Sequence, residues 1–199
     1  MIRFNKSQEK QQVNWKNNKS SYLKGKWLND KMTIDTYERG ECFMGIEIGQ
    51  KAPNFTLKNQ HNEEVSLSDY QGKNVVLYFY PKDMTPGCTT QACDFRDQHA
   101  KFEDVNTVII GISPDPIEKH MKFIGKHELP FMLLADVDHE VAEMYEVWKL
   151  KKMFGKEFHG IERSTFIIDR EGIVREIERK VKVKDHATKV FSYVTEHLV

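Results

Sequence analysis

The sequence has few cysteines, no long apolar run and no excess of either charge, and each absence excludes a class of protein. Only three of the 199 residues are cysteine, which is too few for a small secreted scaffold held together by disulfides. No apolar run approaches the roughly 18 residues that a membrane-spanning helix requires. The 30 basic and 30 acidic residues balance, so net charge favours neither nucleic acid nor an anionic membrane as a partner. We expect a globular domain with its own hydrophobic core.

Charge composition changes near residue 44. Residues 1–44 contain nine Lys or Arg and five Asp or Glu, whereas residues 45–199 contain 21 and 25. The first segment is polar and shows no sustained helical or strand period, so it is predicted to be a poorly ordered extension. A second hypothesis is that translation starts at Met44, since residues 38–41 can be encoded by a purine-rich run resembling a bacterial ribosome-binding site. Cys42 is expected to be a free thiol without a role.

From residue 45 onward, strand-like and helix-like patterns alternate. Apolar, β-branched runs predict buried strands at 74–80, 107–113 and 130–136, and two strands joined as a hairpin at 164–178. Helical patterns lie at 88–103, 117–128, 139–148 and 185–198. This alternation predicts a layered α/β domain with a mixed sheet.

Two polar segments within this domain are interpreted as structural. The sequence ADVDHE at 135–140 lacks the glycine and the spacing of a calcium-binding loop. Asp138 is therefore predicted to be the N-cap of the helix at 139–148. The basic segment KLKKMFGKEFHG at 149–160 is interpreted as a solvated loop.

Two of the three cysteines lie in the sequence PKDMTPGCTTQACDFRD, residues 81–97. Thr85 suits a helix N-cap and Pro86 the first helical position, which places Cys88 third. There the unpaired backbone N–H groups and the positive end of the helix dipole stabilise a thiolate. The Thr85 hydroxyl is expected to cap the Cys88 amide or to bond its sulfur. Polar neighbours fit a buried, inert cysteine poorly, so an activated Cys88 is predicted.

Cys93 follows Cys88 by five residues on the same predicted helix. Residues five apart on an intact helix have Cα atoms about 8.6 Å apart and about 140° around the axis. A disulfide requires Cα atoms within about 7 Å. Either Cys93 is an ordinary helix residue, or the first turns unwind so that the two sulfurs meet. The spacing is not the C-x-x-C of a disulfide oxidoreductase or a zinc knuckle.

The motif Pro-x-x-x-Thr-x-x-Cys, formed by Pro81, Thr85 and Cys88, occurs together with GIERSTF around Arg163. In both motifs the chain resembles the peroxiredoxins of the bacterioferritin-comigratory-protein (peroxiredoxin Q) group, over about residues 46 to 199. The resemblance implies a thioredoxin-like fold with a central mixed sheet flanked by helices. It also implies thiol-dependent reduction of hydrogen peroxide and organic hydroperoxides, with no metal or bound cofactor.

The resemblance assigns a role to each of these residues. Cys88 would be the peroxidatic cysteine that becomes a sulfenic acid. Arg163 would stabilise its thiolate and hold the peroxide oxygens with forked donors. Thr85 would orient the peroxide and Pro81 would shield the sulfur. Cys93 stands where one branch of the group has its resolving cysteine, which would form a disulfide with Cys88.

The expected partners are a hydroperoxide substrate and thioredoxin, or a similar dithiol, as the reductant of that disulfide. No signal sequence is apparent at the polar N-terminus, so a cytoplasmic protein is expected, and we expect a monomer. The alternatives to a peroxidase are a disulfide oxidoreductase and a redox sensor. A general disulfide oxidoreductase is disfavoured because C-x-x-C is missing, and a redox sensor or holdase would use Cys88 oxidation to change a partner surface. Only an enzyme would consume many equivalents of peroxide.

Overall fold

The computed structural model describes residues 45–153 and 155–199, together with the backbone of residues 26–28 and 31–33. The chain divides into two units, Met1–Cys42 and Phe43–Val199. In the first unit, strands β1 (Lys26–Leu28) and β2 (Lys31–Thr33) pair in antiparallel fashion. The remainder of the predicted extension, including Cys42, lies outside the described residues.

The second unit contains nine strands within the described residues. They are β3 (Thr56–Asn59), β4 (Glu64–Ser66), β5 (Asn74–Phe79), β6 (Thr107–Ser113), β7 (Met132–Ala135), β8 (Trp148–Met153), β9 (Lys156–Ile161), β10 (Ser164–Ile168) and β11 (Val174–Arg179). Seven of these form one sheet in the order β11-β10-β5-β6-β7-β3-β4, in which β5, β6 and β7 are mutually parallel. The other pairings are antiparallel. The predicted mixed sheet is therefore confirmed.

Helices cover both faces of this sheet. They are α1 (Pro86–Asp104), α2 (Ile117–His127), α3 (Glu140–Met144) and α4 (His186–His197), with a 3₁₀ turn at Leu67–Tyr70. Apolar residues of α1, α2 and α4 form one buried cluster with the sheet, and those of α3 belong to a second cluster. Within the part of the chain described, no helix combines the length and apolarity that crossing a membrane requires.

Strand β5, an inner strand of the sheet, is buried on both faces. Val75, Leu77 and Phe79 belong to the cluster that contains α3. The intervening residues Val76 and Tyr78 pack with α1, α2 and α4 instead. A strand covered on both sides has no polar face, which explains why this segment is a continuous apolar run in the sequence.

The predicted helix at 139–148 is too long, and its predicted cap is wrong. The helix covers only Glu140–Met144, because Glu146 adopts a left-handed backbone conformation with φ of 56° and Trp148 begins β8. Asp138 is exposed. The buried carboxylate of Asp136 instead accepts the N–H groups of Val141 and Ala142, at 3.2 and 2.7 Å.

The basic segment at 149–160 is a β-hairpin rather than a solvated loop. Strands β8 and β9 pair from Trp148–Ile161 to Met153–Lys156, and Gly155 in the turn has φ of 75°. This two-stranded ribbon lies outside the main sheet. Large apolar side chains such as Leu150 and Phe158 are exposed on it, so the segment lacks the period-2 burial on which strand prediction depends.

Gly111 lies in β6 between Tyr78 and Leu133, its partners on the two neighbouring strands. A Cβ atom at Gly111 would lie 2.6 Å from Leu133 Cδ2 and 2.7 Å from the Tyr78 ring. We expect Gly111→Ala to lower the free energy of unfolding by about 1–3 kcal/mol, the usual effect of overpacking a core. Urea-induced unfolding of the purified variant measures this loss.

Gly125 provides the matched control, because nothing lies within 4 Å of a Cβ atom at this position in α2. Alanine is the better helix former, so Gly125→Ala should leave stability unchanged or raise it by up to about 1 kcal/mol. Equal stability of the wild type and Gly111→Ala would contradict the packing argument.

Candidate active site

The register of β5 and β10 brings two distant segments together. Phe79, the last residue of β5, pairs with Ser164, the first residue of β10. Arg163 therefore lies beside the segment that leaves the carboxyl end of β5 and leads into α1. This is the edge at which open α/β sheets commonly carry functional groups. Cys88 and Arg163, which are 75 residues apart, meet there.

Helix α1 begins as predicted, but the Thr85 side chain does not act as predicted. Thr85 is the N-cap residue, Pro86 is the first helical residue and Cys88 is the third. The Thr85 hydroxyl forms no capping bond to the helix. It donates instead to the carbonyl oxygen of Lys82 at 3.0 Å, because the preceding turn brings that carbonyl within its reach. Pro81 is partly buried in the same turn.

Cys88 lies against the guanidinium of Arg163. The Cys88 side chain is buried, with 2% of the residue exposed, and Arg163 Nη2 donates to its sulfur at 3.2 Å. A second nitrogen of the same guanidinium, Nη1, donates to Gln91 Oε1. One planar fork thus binds a sulfur and an amide oxygen, an arrangement that the point charge of a lysine cannot reproduce.

The backbone on both sides of Arg163 is also held. The carbonyl oxygen of Arg163 accepts a hydrogen bond from the N–H group of Val181 at 2.9 Å. The N–H group of Glu162 donates to the carbonyl oxygen of Val147 at 2.7 Å. The guanidinium therefore projects from a segment that is bonded to the chain before β8 and to the chain after β11.

A buried histidine, His186, contacts the same Gln91 amide as Arg163. His186 Nδ1 is 3.3 Å from Gln91 Nε2, and His186 Nε2 is 3.2 Å from Thr165 Oγ1 and 3.4 Å from Glu178 Oε2. Gln91, His186 and Thr165 are each 1% exposed. Burial, and then the positive charges of Arg163 and Lys189, lower the pKa of His186 to about 4. The imidazole is therefore neutral at physiological pH.

A second buried cluster holds the turn that precedes α1. Asp83 accepts a hydrogen bond from the Tyr80 hydroxyl at 2.6 Å, and its other carboxylate oxygen lies 2.8 Å from His120 Nδ1 in α2. The Asp83 N–H group donates to the Asp115 carboxylate at 2.7 Å. Burial raises the pKa of Tyr80 well above its usual value, which keeps the hydroxyl a donor. Together these bonds attach the turn to the α2 side of the domain.

Cys93 faces a different neighbour from Cys88. Both cysteines are free, and α1 is continuous from Pro86 to Asp104. The Cys93 sulfur lies 4.0 Å from His127 Nδ1 at the end of α2, and Arg96 donates to the His127 carbonyl oxygen at 2.9 Å. The two sulfurs are not joined in the intact helix, in agreement with the geometric argument from the sequence. The resolving role of Cys93 stays a prediction.

Several residues of this site were not predicted. Gln91 follows Cys88 by three positions on one helix, so helical spacing alone places it on nearly the same face. No comparable signal exists for His186, which is 95 residues from Gln91. The Asp83–His120 contact likewise joins residues 37 positions apart.

Comparison with known proteins gives consistent matches. Residues 48–177 match the AhpC/TSA family. Peroxiredoxin Bcp of Bacillus subtilis is 66% identical over 143 residues, which are 72% of this chain and 91% of the relative. The Bacterioferritin Comigratory Protein of Xanthomonas campestris, studied for alkyl peroxide reduction activity, is 38% identical with a TM-score of 0.69, over 72% and 91% of the two chains. A PrxQ variant of Xylella fastidiosa is 35% identical with a TM-score of 0.74, over 77% and 98%. The likeness confirms the predicted thioredoxin-like fold.

The lowered pKa of His186 predicts a stability that depends on pH. An unfolded chain protonates this side chain near its ordinary pKa of 6.5, whereas the folded protein does so only near 4. Between these values the unfolded state binds more protons than the folded state. The contribution of neutral His186 to the free energy of unfolding is therefore complete above pH 6.5 and is lost as the pH falls towards 4. From pH 7 to pH 5, the free energy of unfolding should fall by about 2 kcal/mol more in the wild type than in His186→Asn.

Urea-induced unfolding of both proteins at the two pH values measures this difference. Titration of the other histidines contributes equally to the two proteins and cancels. Parallel pH dependences of the wild type and His186→Asn would show that protonation of His186 does not oppose folding.

Proposed function

The chain belongs to the AhpC/TSA family, in its Bcp and PrxQ group of peroxiredoxins, and we propose that Cys88 carries out its thiol-dependent peroxidase reaction. The observation that carries this assignment is the 3.2 Å contact between Arg163 Nη2 and the Cys88 sulfur at the start of α1. The proposed substrates are hydrogen peroxide and organic hydroperoxides. The alkyl peroxide reduction activity associated with the Xanthomonas relative supports the second class.

The first step oxidises Cys88. Its thiolate bonds to one peroxide oxygen, the O–O bond breaks, and the other oxygen leaves with a proton as water or an alcohol. Sulfur is oxidised to a sulfenic acid while the peroxide is reduced. Arg163 and the free N–H groups at the start of α1 stabilise the negative charge that develops on the oxygens.

Thr85 and Pro81 complete the proposed site. Thr85 is the N-cap residue of α1, three residues before Cys88, so a rotation about its Cα–Cβ bond would turn the hydroxyl from Lys82 towards a bound peroxide. Pro81 lies in the turn between β5 and α1 and would limit access of water to the sulfur. Neither residue needs to ionise in these roles.

Cys93 is proposed to resolve the sulfenic acid. Its sulfur bonds to the Cys88 sulfur, and the hydroxyl group of the sulfenic acid leaves as water. The first turns of α1 must unwind for this step, because the helix is continuous through both cysteines. A dithiol, which we propose to be thioredoxin, then attacks the disulfide, forms a mixed disulfide and restores both thiols.

The cellular setting follows from this chemistry. Regeneration by a dithiol suits the reducing cytoplasm, where the protein would serve antioxidant defence and redox homeostasis. The monomeric state, the poorly ordered segment at 1–44 and the alternative start at Met44 stay predictions.

Peroxide-dependent oxidation of NADPH, coupled through thioredoxin and its reductase, tests the function. The wild type should turn over many equivalents of peroxide, and Cys88→Ser should abolish turnover because the nucleophile is lost. Cys93→Ser should still consume about one equivalent of peroxide but should lose most of its thioredoxin-dependent turnover.

Two other results would contradict a two-cysteine peroxidase. Undiminished turnover of Cys93→Ser would identify an enzyme that uses one cysteine and an external thiol. Rapid single oxidation of Cys88 without turnover by any dithiol would favour a redox sensor over a peroxidase.

Unwinding of α1 is tested by hydrogen exchange. Formation of the Cys88–Cys93 disulfide should increase amide exchange in residues 86–96, because the backbone hydrogen bonds of these turns are broken. Amides in residues 97–104 of the same helix serve as the internal reference and should change less. Unchanged protection of residues 86–96 in the oxidised protein would contradict the unwinding step.

A further inference from the structure

Behind the reactive sulfur, four buried or half-buried groups form a continuous series of hydrogen bonds. Arg163 joins Cys88 to Gln91, and Gln91 is joined in turn to His186. His186 Nε2 ends the series at Thr165, which belongs to β10. None of the residues beyond Arg163 is needed by the peroxidase steps described above.

The chemistry of the arginine determines where every proton in this series lies. A guanidinium has only donors, so Gln91 must turn its amide oxygen towards Arg163. Its NH₂ group then faces His186 Nδ1, which must be an unprotonated acceptor. The imidazole proton is consequently on Nε2, from which it is donated to Thr165 Oγ1 at 3.2 Å and towards Glu178 at 3.4 Å.

We propose that His186 is a positioning residue of the peroxidase site, whose neutral Nδ1 holds the Gln91 amide in the orientation that aligns Arg163 with Cys88. This inference rests on the proposed function of Cys88. His186 does not touch the reacting atoms and acts only through Gln91.

The surroundings keep His186 in the required form. The charged groups that face it are Arg163 on the active-site side, Lys189 on its own helix α4 and Glu178 on β11. The two cations oppose its protonation, as does burial, while the ring of Phe95 packs edge-on at 5.4 Å. A protonated Nδ1 would meet the NH₂ group of Gln91 as one donor facing another, and the amide would have to flip and present donors to Arg163.

Two substitutions distinguish the hydrogen-bond acceptor of His186 from its aromatic ring. His186→Phe keeps an aromatic ring but removes the acceptor, and the rate constant of Cys88 with hydrogen peroxide should fall roughly 10- to 100-fold, as for a misplaced binding group. His186→Asn offers an amide oxygen near the position of Nδ1 and should retain a rate within about threefold of wild type. A roughly threefold change corresponds to less free energy than one good hydrogen bond contributes. His197→Phe, on an exposed part of α4, is the matched control and should be unchanged.

A double-mutant cycle tests whether His186 works through Gln91. In a Gln91→Leu background, His186→Phe should add little further loss, because the amide that it orients is absent. Losses that multiply in the double variant would overturn the proposal. So would equal losses in His186→Asn and His186→Phe, since that pattern indicates a general structural role.

Nuclear magnetic resonance of the wild type provides a test that needs no variant to fold. Long-range ¹H–¹⁵N correlations should show His186 protonated only at Nε2, and this form should persist from pH 7 to pH 5. A proton on Nδ1 would overturn the inference. If the wild type itself consumed no peroxide, the proposed function would fail, whereas normal wild-type turnover with an unaffected His186→Phe would refute the role of His186 alone.

Discussion

Arg163 donates to the Cys88 sulfur and to the Gln91 amide oxygen at the same time, and this fork depends on three elements holding their places. Helix α1 supplies both acceptors from successive turns. Strand β10 positions the arginine through its register with β5. Helix α4 supplies His186, which contacts the amide nitrogen of Gln91, whereas Arg163 contacts the amide oxygen. A shift of any one element would separate the guanidinium from the thiol.

The same helix has two conflicting requirements in the proposed cycle. An intact α1 presents Cys88 to Arg163 and keeps it in the first turn, at the positive end of the helix dipole. An intact α1 also keeps Cys88 apart from Cys93, whose sulfur lies beside His127 instead. The Asp83 contacts with Tyr80, His120 and Asp115 hold the turn before the helix. In the proposed cycle, α1 would unwind directly after this anchored turn.

Prediction from the sequence succeeded where a local pattern is enough to specify structure. Strand β6 at Thr107–Ser113 has the predicted bounds, because a strand buried on both faces is a continuous apolar run. Prediction failed at β8 and β9, a two-stranded ribbon in which Ile161 at one end is buried but Leu150 and Phe158 are exposed. It also failed at Asp138, because burial of Asp136 beneath the first turn of α3 decides which carboxylate caps the helix.

The sequence alone determined the chemistry at the start of α1. Thr85, Pro86 and Cys88 occupy the cap and first turn because their spacing and backbone preferences are local properties. Helix geometry also determined that Cys93 cannot reach Cys88 while the helix is intact. Only the tertiary structure decided that Gln91 and His186 lie behind Arg163. Their contacts span 72 and 95 residues, and they depend on strand register and helix packing, which no local pattern in the chain encodes.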